Sequence, residues 1–526
     1  MSKIEKIKNF LTSNKKKIFF FITTIIFISG IWIIYKKYFS HKHTFCFAMQ
    51  QDIAGLDPTN PSHTSSSYSS IYFNLVHATL LSKNANNELQ PRLLETMPIL
   101  DENKIIKCKL KNNIFFHNNQ KMTTADIIFT FKRAQQNNHN QFEIIKKIEL
   151  LNDQEFNIEF KNELSNWEWK FLLTDFFRVL NKQAIEKNEN EGIKIGAGPY
   201  KLKKRKPNQS IDIEYFKDYY SNVLQTEKIP PTNIKIKISK DDNTLITELE
   251  NQEIDAIINI KDALIKDIEK KINQNQYKNI KLLKNPVCSM SFMYFNKHKT
   301  KEQVRKIIQK SLDIQEIINE LELPVILSKD ILHNNLIGFN PDLNYHDVNI
   351  SEAKTQFQNL KEEEKQIKCG ASKETPFIHK IIEQLRHIGF QITLTIEDMN
   401  TLMVKAETKE YNFIFLGEGF ETEYSHKYLE DYFLTNGNPN NFCGIDKDDQ
   451  PFLEDKIKEA KFLTSDITLY ANKIKEIDDY LYQKIYLLPL TTNYSFILTS
   501  KKIQKGFEQD GFSKFYNIHM IEIENT

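Results

Sequence analysis

Apolar and polar positions along the chain fall into two stretches whose periods predict α/β units. In residues 233–239, Ile occupies 234, 236 and 238, the period of a strand with one buried face. Residues 244–250 then read as a short helix and 255–260 as a second apolar strand. Residues 262–272 carry Leu264, Ile265 and Ile268 at helical spacing, and 279–283 close the group as a third strand. This β-α-β-α-β order predicts a parallel sheet with helices on its faces. The pattern returns downstream. Residues 366–369 form a short strand, and Ile378, Ile381, Ile382, Leu385 and Ile388 follow i, i+3, i+4 spacing. Gly389 then stands where a helix C-cap belongs. Phe390, Ile392, Leu394 and Ile396 alternate as a strand, 400–408 read as a helix, and 411–416 as a buried strand. Two such units predict two lobes, with a small-molecule site in the cleft at the carboxyl ends of their strands.

Residues 71–194 carry hairpin-like strands and helices of their own. An alternating strand spans 105–110 and a helix 124–134. Thr123 or Thr124 serves as its N-cap, and Asp126 lies in the first turn, where negative charge suits the helix dipole. Trp167 and Trp169 bracket Glu168 and read as same-face packing on a strand.

The N-terminus has a different character. Residues 18–35 are mostly apolar, with Lys15, Lys16 and Lys17 before them and Lys36 and Lys37 after. As a helix this run would be about 27 Å long, enough to cross a hydrocarbon core of about 30 Å. No small-x-small exit follows it, and Cys46 stands in no lipobox, so an uncleaved signal anchor is expected. The excess of lysine on its N-terminal side puts residues 1–17 in the cytoplasm and the chain beyond about residue 40 outside.

Composition narrows the function. Lys and Arg total 71 against 69 Asp and Glu, which argues against a dedicated nucleic-acid binder. Cys46, Cys108, Cys288, Cys369 and Cys443 are far apart and odd in number, so a zinc motif and a complete disulfide framework are excluded. Buried free thiols are the expectation. Nucleophile-elbow, zinc-protease and phosphate-loop motifs are absent. Gly196-Ala197-Gly198 is followed by Pro199, which has no N–H for a phosphate. His41 and His43 read as solvated and His117 as a turn residue. Glu418, Glu421 and Glu423 read either as a solvated acidic loop or as a negative wall facing a cationic ligand group.

Residues 110–133, Leu-Lys-Asn-Asn-Ile-Phe-Phe-His-Asn-Asn-Gln-Lys-Met-Thr-Thr-Ala-Asp-Ile-Ile-Phe-Thr-Phe-Lys-Arg, resemble the signature of extracellular solute-binding protein family 5. Leu56-Asp57-Pro58, Pro91 to Glu95, Gly196 to Tyr200, Val304-Arg305 with Leu312-Asp313, Leu385 to Phe390 and Leu488-Pro489-Leu490 are similar to further blocks of that family, in its order. Departures are Asn118-Asn119 in place of the usual Asp-Gly, and Glu418 in place of an aromatic.

The resemblance implies a two-lobed α/β periplasmic-binding-protein fold of type II, the Venus flytrap, with an inserted third domain behind one transmembrane helix. On it, 44–70, 195–285 and 488–526 build lobe I, 71–194 the inserted domain and 286–487 lobe II. It also implies a membrane-tethered, monomeric binding component of an ABC importer, outside the cytoplasmic membrane. Peptides would be its solute, and a permease with ATPase subunits its partners. Nickel, haem or a glycan fragment is the alternative solute, and an exported envelope enzyme the alternative class. No cofactor, catalytic residue or metal site is implied. The ligand contacts expected are Glu421, Gly417, Gly419 and Phe420.

Overall fold

A computed structural model describes residues 44–507 and 521–523, apart from 65, 85–87, 103, 162–163, 165–166, 220–230, 421 and 435–448. The apolar run 18–35 lies outside the described residues. Among those described, no helix is long and apolar enough to cross a membrane.

One eleven-stranded sheet runs through the molecule. At one end Thr44–Met49 lies between Asn233–Ile238 and Ala256–Ile258, parallel to both. At the other end Gln366–Ala371 lies between Gln391–Ile396 and Phe413–Gly419, again parallel. Between these groups two long strands, Ile280–Phe295 and Leu487–Ser500, pair antiparallel over most of their length. The second α/β unit thus matches the order expected from its periodicity. The first does not match throughout. The stretch expected as a third parallel strand is the start of Ile280–Phe295; it runs in the same direction as Ala256–Ile258, but Leu487–Ser500 lies between them, antiparallel to both. Local periodicity reports which face is buried and carries no information on which distant strand takes the edge.

The apolar positions form separate cores. One collects residues from Met290 to Leu490, and another from Ala78 to Ala197. Two more cover opposite faces of the Thr44–Met49 sheet. Phe45 and Phe47 point into one, and Ala48 and Leu245 into the other.

Sequence blocks far apart are bonded to each other. The Asp57 carboxylate accepts from the Thr59 N–H and hydroxyl, and from Arg133 Nε and Nη2 at 2.9 and 2.7 Å. His117 is no simple turn residue. Its Nε2 sits 3.0 Å from the Gly198 carbonyl oxygen, and its Nδ1 accepts from Gly196 N at 3.2 Å. The glycines there cannot carry side chains, because a Cβ on Gly196 would lie 1.9 Å from the Val76 carbonyl oxygen. Arg305, almost fully buried, donates to the carbonyls of Thr300 and Lys484 and lies over the Tyr486 ring.

The helix Thr124–Gln136 starts in a capping box formed by Thr123 and Asp126, and Pro376–Ile388 ends at Gly389 with φ of 125°. Trp167 corrects a sequence expectation. It precedes the helix Glu168–Phe171 rather than lying on a strand, and its ring stacks on Phe171 at 5.1 Å, four residues on. Cys108 and Cys369 are buried free thiols and Cys46 a half-buried one. Burial pushes Cys46 up to about 11 and Cys369 up to about 12, so neither is a nucleophile at neutral pH.

Asp57→Asn keeps the shape of the join between the two signature blocks but removes the carboxylate from a largely buried guanidinium. A loss of about 1–3 kcal/mol is expected. It should appear as a lower calorimetric melting temperature.

Candidate functional site

The carboxyl ends of the parallel strands from both lobes meet where the two long strands change register. Between Pro286 and Met290 the pairing with Leu487–Ser500 slips, and it slips again between Ser291 and Phe292. Polar side chains gather there. The Asn493 amide donates to Ser289 Oγ at 3.2 Å, and Ser495 Oγ donates to Asn259 Oδ1 at 3.2 Å. Ser328 and Thr492 hydroxyls share a hydrogen bond of 2.6 Å. Asn259 follows Ala256–Ile258 with φ of 60°, which turns its amide towards this group. Gln50, just beyond Thr44–Met49, donates to Asp242, which Lys261 also holds at 2.6 Å. Burial pushes the Tyr68 hydroxyl up, and its contacts with the Asn259 side chain and the Gln50 backbone oppose that shift.

From the second lobe, Phe413–Gly419 delivers its last residues to the same place. Ser289, Met290 and Ser291 pair with Gly419, Glu418 and Gly417 along one edge. The other edge pairs with Gln366–Ala371 only as far as Phe415, opposite Ala371. Beyond that point no strand covers it among the described residues. Both glycines are exposed, a Cβ on Gly417 would meet only the Met290 carbonyl oxygen at 3.8 Å, and one on Gly419 would meet nothing within 4 Å. An extended chain can therefore approach this main chain closely.

The expected contacts divide on the structure. Gly417 and Gly419 stand open at the strand end. Phe420 is 2% exposed, edge-on to Tyr428 at 4.7 Å, and fills core space. Glu421 lies outside the described residues. Glu418 is the acid that stands out. It is half-buried, opposite Met290, and its Oε1 accepts from the Tyr294 hydroxyl at 3.3 Å. Burial pushes its carboxyl up to about 7, Asp431 adds to that, and the Tyr294 bond opposes it. The sequence gives no sign of this burial, since an acid between two glycines reads as solvated. The polar group at the register slip left a fainter signal, in Thr491-Thr492-Asn493 interrupting an apolar strand.

Contacts also cross between the bodies. Trp167 of the inserted region meets His426 edge-on at 5.8 Å and Tyr424 at 6.2 Å, beside a Lys461–Glu168 ion pair of 2.8 Å. Lys266, on the helix Asp262–Asn273, pairs with Glu322, after the helix Ile314–Glu320.

Two α/β groups are thus joined by long shared strands, with polar side chains gathered at their strand ends. The family of bacterial extracellular solute-binding proteins, family 5, matches residues 88–440, and the chain belongs to it. It is similar to the oligopeptide-binding protein AppA of Bacillus subtilis, 23% identical over 267 residues, covering 47% of this chain and 46% of that one. It is also similar to the nickel-binding protein NikA of Staphylococcus aureus, 24% identical, with 52% of each covered. The chain thus spans about half the length of the curated relatives it matches. Among solved structures, the periplasmic binding protein DppA of Helicobacter pylori in complex with the peptide STSA has a TM-score of 0.72 at 17% identity, covering 92% of this chain and 98% of that one. HbpA2 of Haemophilus parasuis reaches 0.76 at 16% identity, covering 92% and 100%. At these identities the likeness shows the fold. AppA and NikA are named for binding an oligopeptide and nickel, and DppA is a periplasmic binding protein seen with a peptide.

The carboxyl of Glu418 is held above its ordinary value of 4.5, so the folded state favours its neutral form. Its contribution to stability is present below about pH 4.5 and lost as pH rises through about 7. Glu418→Gln should therefore gain on wild type between pH 5 and pH 8, by roughly 2 kcal/mol. Denaturant unfolding at the two pH values checks this.

Proposed function

We propose that this chain captures peptides for an ABC importer, closing its two lobes around an extended peptide. The observation that carries the reading is the open end of Phe413–Gly419. Past Phe415 one strand edge is free, and the glycines leave room for a chain to pair with it. Main-chain pairing of this kind accepts many sequences, because the bonds are made to groups every peptide has. The polar side chains at the register slip, Asn259, Ser289, Asn493 and Ser495, offer donors and acceptors for the peptide's other edge. AppA and DppA are peptide binders by their names, which supports the same solute here.

The membrane tether is part of this proposal. It rests on the apolar run 18–35 and its flanking lysines, which would hold the binding lobes at the outer face of the cytoplasmic membrane. The permease and ATPase subunits of the importer would be its partners. The inserted region, 71–194, is read as a third body with its own core, and residues 286–487 as the second lobe.

Gly419→Phe separates binding from folding. Nothing lies within 4 Å of a Cβ there, so the melting temperature of the empty protein should stay unchanged. The ring would occupy the space beside the free edge and weaken peptide binding at least tenfold. Thermal shift and calorimetric titration with a defined tetrapeptide library test both halves, with nickel chloride as a separate arm. Stabilisation by nickel alone, with none by any peptide, would replace the peptide reading.

A further inference from the structure

Glu418 is a half-buried carboxylate without a cation. Its hydrogen bond comes from Tyr294, and no lysine or arginine pairs with it among the described residues. Beside it the Tyr432 hydroxyl is fully buried, lies towards Tyr294 and Glu418, and makes no hydrogen bond of ordinary geometry. Burying an acid and a hydroxyl with so few partners costs stability. The position is telling. Glu418 is flanked by the two open glycines at the cleft end of the strand, so a solute lying along that edge passes within reach of its carboxylate.

We propose that Glu418, with the Tyr294 and Tyr432 hydroxyls, forms a side pocket that selects solutes carrying a cationic nitrogen, an ammonium or guanidinium group. This rests on the peptide-capture reading and narrows it to basic peptides. An incoming N–H donor would take the free lone pairs of the carboxylate, and its charge would find the counter-ion the protein itself lacks. The rest of the surroundings suits this. From the strand Ile280–Phe295, Tyr294 faces the carboxylate. From the helix Ser425–Phe433 come Tyr432 and Asp431, and Asp431 is tied to Lys427. Preference for the cation should weaken as the solution is acidified from pH 8 to pH 6, because Glu418 takes up a proton while Tyr432, pushed up by burial, stays neutral.

The test uses the full-length chain and four tetrapeptides: Ala-Lys-Ala-Ala and its norleucine counterpart, each with a free and with an acetylated N-terminus. Wild type should bind at least one cationic form about ten- to a hundredfold more tightly than its neutral counterpart at pH 8. The lysine pair reports a side-chain cation and the acetylated pair an N-terminal one. Glu418→Gln should erase that preference while leaving affinity for the neutral peptide within about twofold, and Glu418→Asp should keep part of it. Melting temperatures of the empty variants show whether each is folded. An equal loss for cationic and neutral peptides, or a preference that survives Glu418→Gln, would overturn the pocket while leaving peptide capture standing. No stabilisation by any of the four, or by a wider library, would overturn peptide capture itself.

Discussion

Two strands, Ile280–Phe295 and Leu487–Ser500, are hydrogen-bonded to each other across both lobes, and this pairing sets the position of everything else. Their outer halves join the sheet built on Thr44–Met49, and their inner halves join the sheet built on Gln366–Ala371. Backbone hydrogen bonds fix their separation. The ladder is interrupted where the register slips, between Pro286 and Met290. The polar cleft lies at that stretch because it is where the ladder is interrupted and side chains replace main chain as partners.

Much of this was legible in the residue pattern, and the reason is local. Helix Pro376–Ile388 buries Ile378, Ile381, Ile382, Leu385 and Ile388, and strand Gln366–Ala371 buries Ile367 and Cys369, so their apolar periods appear without reference to any distant residue. The direction of residues 279–283 was legible but their neighbour was not, since the strand that separates them from Ala256–Ile258 lies more than two hundred residues downstream. Trp167 misled for a related reason. An aromatic at i and i+2 suggests a strand, and only its stack on Phe171 shows the helix. At the site, the glycines were legible because absence of a side chain is itself a signal. The burial of Glu418 and Phe420 was not, because it is decided by Tyr294, Tyr428 and Tyr432 on other elements.

The motif residues have a plainer use than their spacing suggested. Asp57 with Arg133, His117 with Gly196 and Gly198, and Arg305 with the Lys484 carbonyl each tie together segments from different parts of the chain. A body assembled from discontinuous segments needs such joins, since chain connectivity does not hold its pieces together. The buried histidines follow the same logic. His117, His139 and His346 are pushed down to about 4 by burial, and they serve as neutral hydrogen-bonding or packing groups rather than as acids or bases.

The register slip has a consequence for how such a protein can change over time. On the proposed closure, open and closed forms would differ in the backbone near Pro286–Met290, and their relative free energy would multiply the affinity for every solute by the same factor. Substitutions at the slip would retune overall grip without altering which solute is preferred, whereas changes beside Gly417 and Gly419 would retune preference at nearly constant grip. Strength and selectivity thus reside in neighbouring but separate residues, and each can drift without forcing a compensating change in the other.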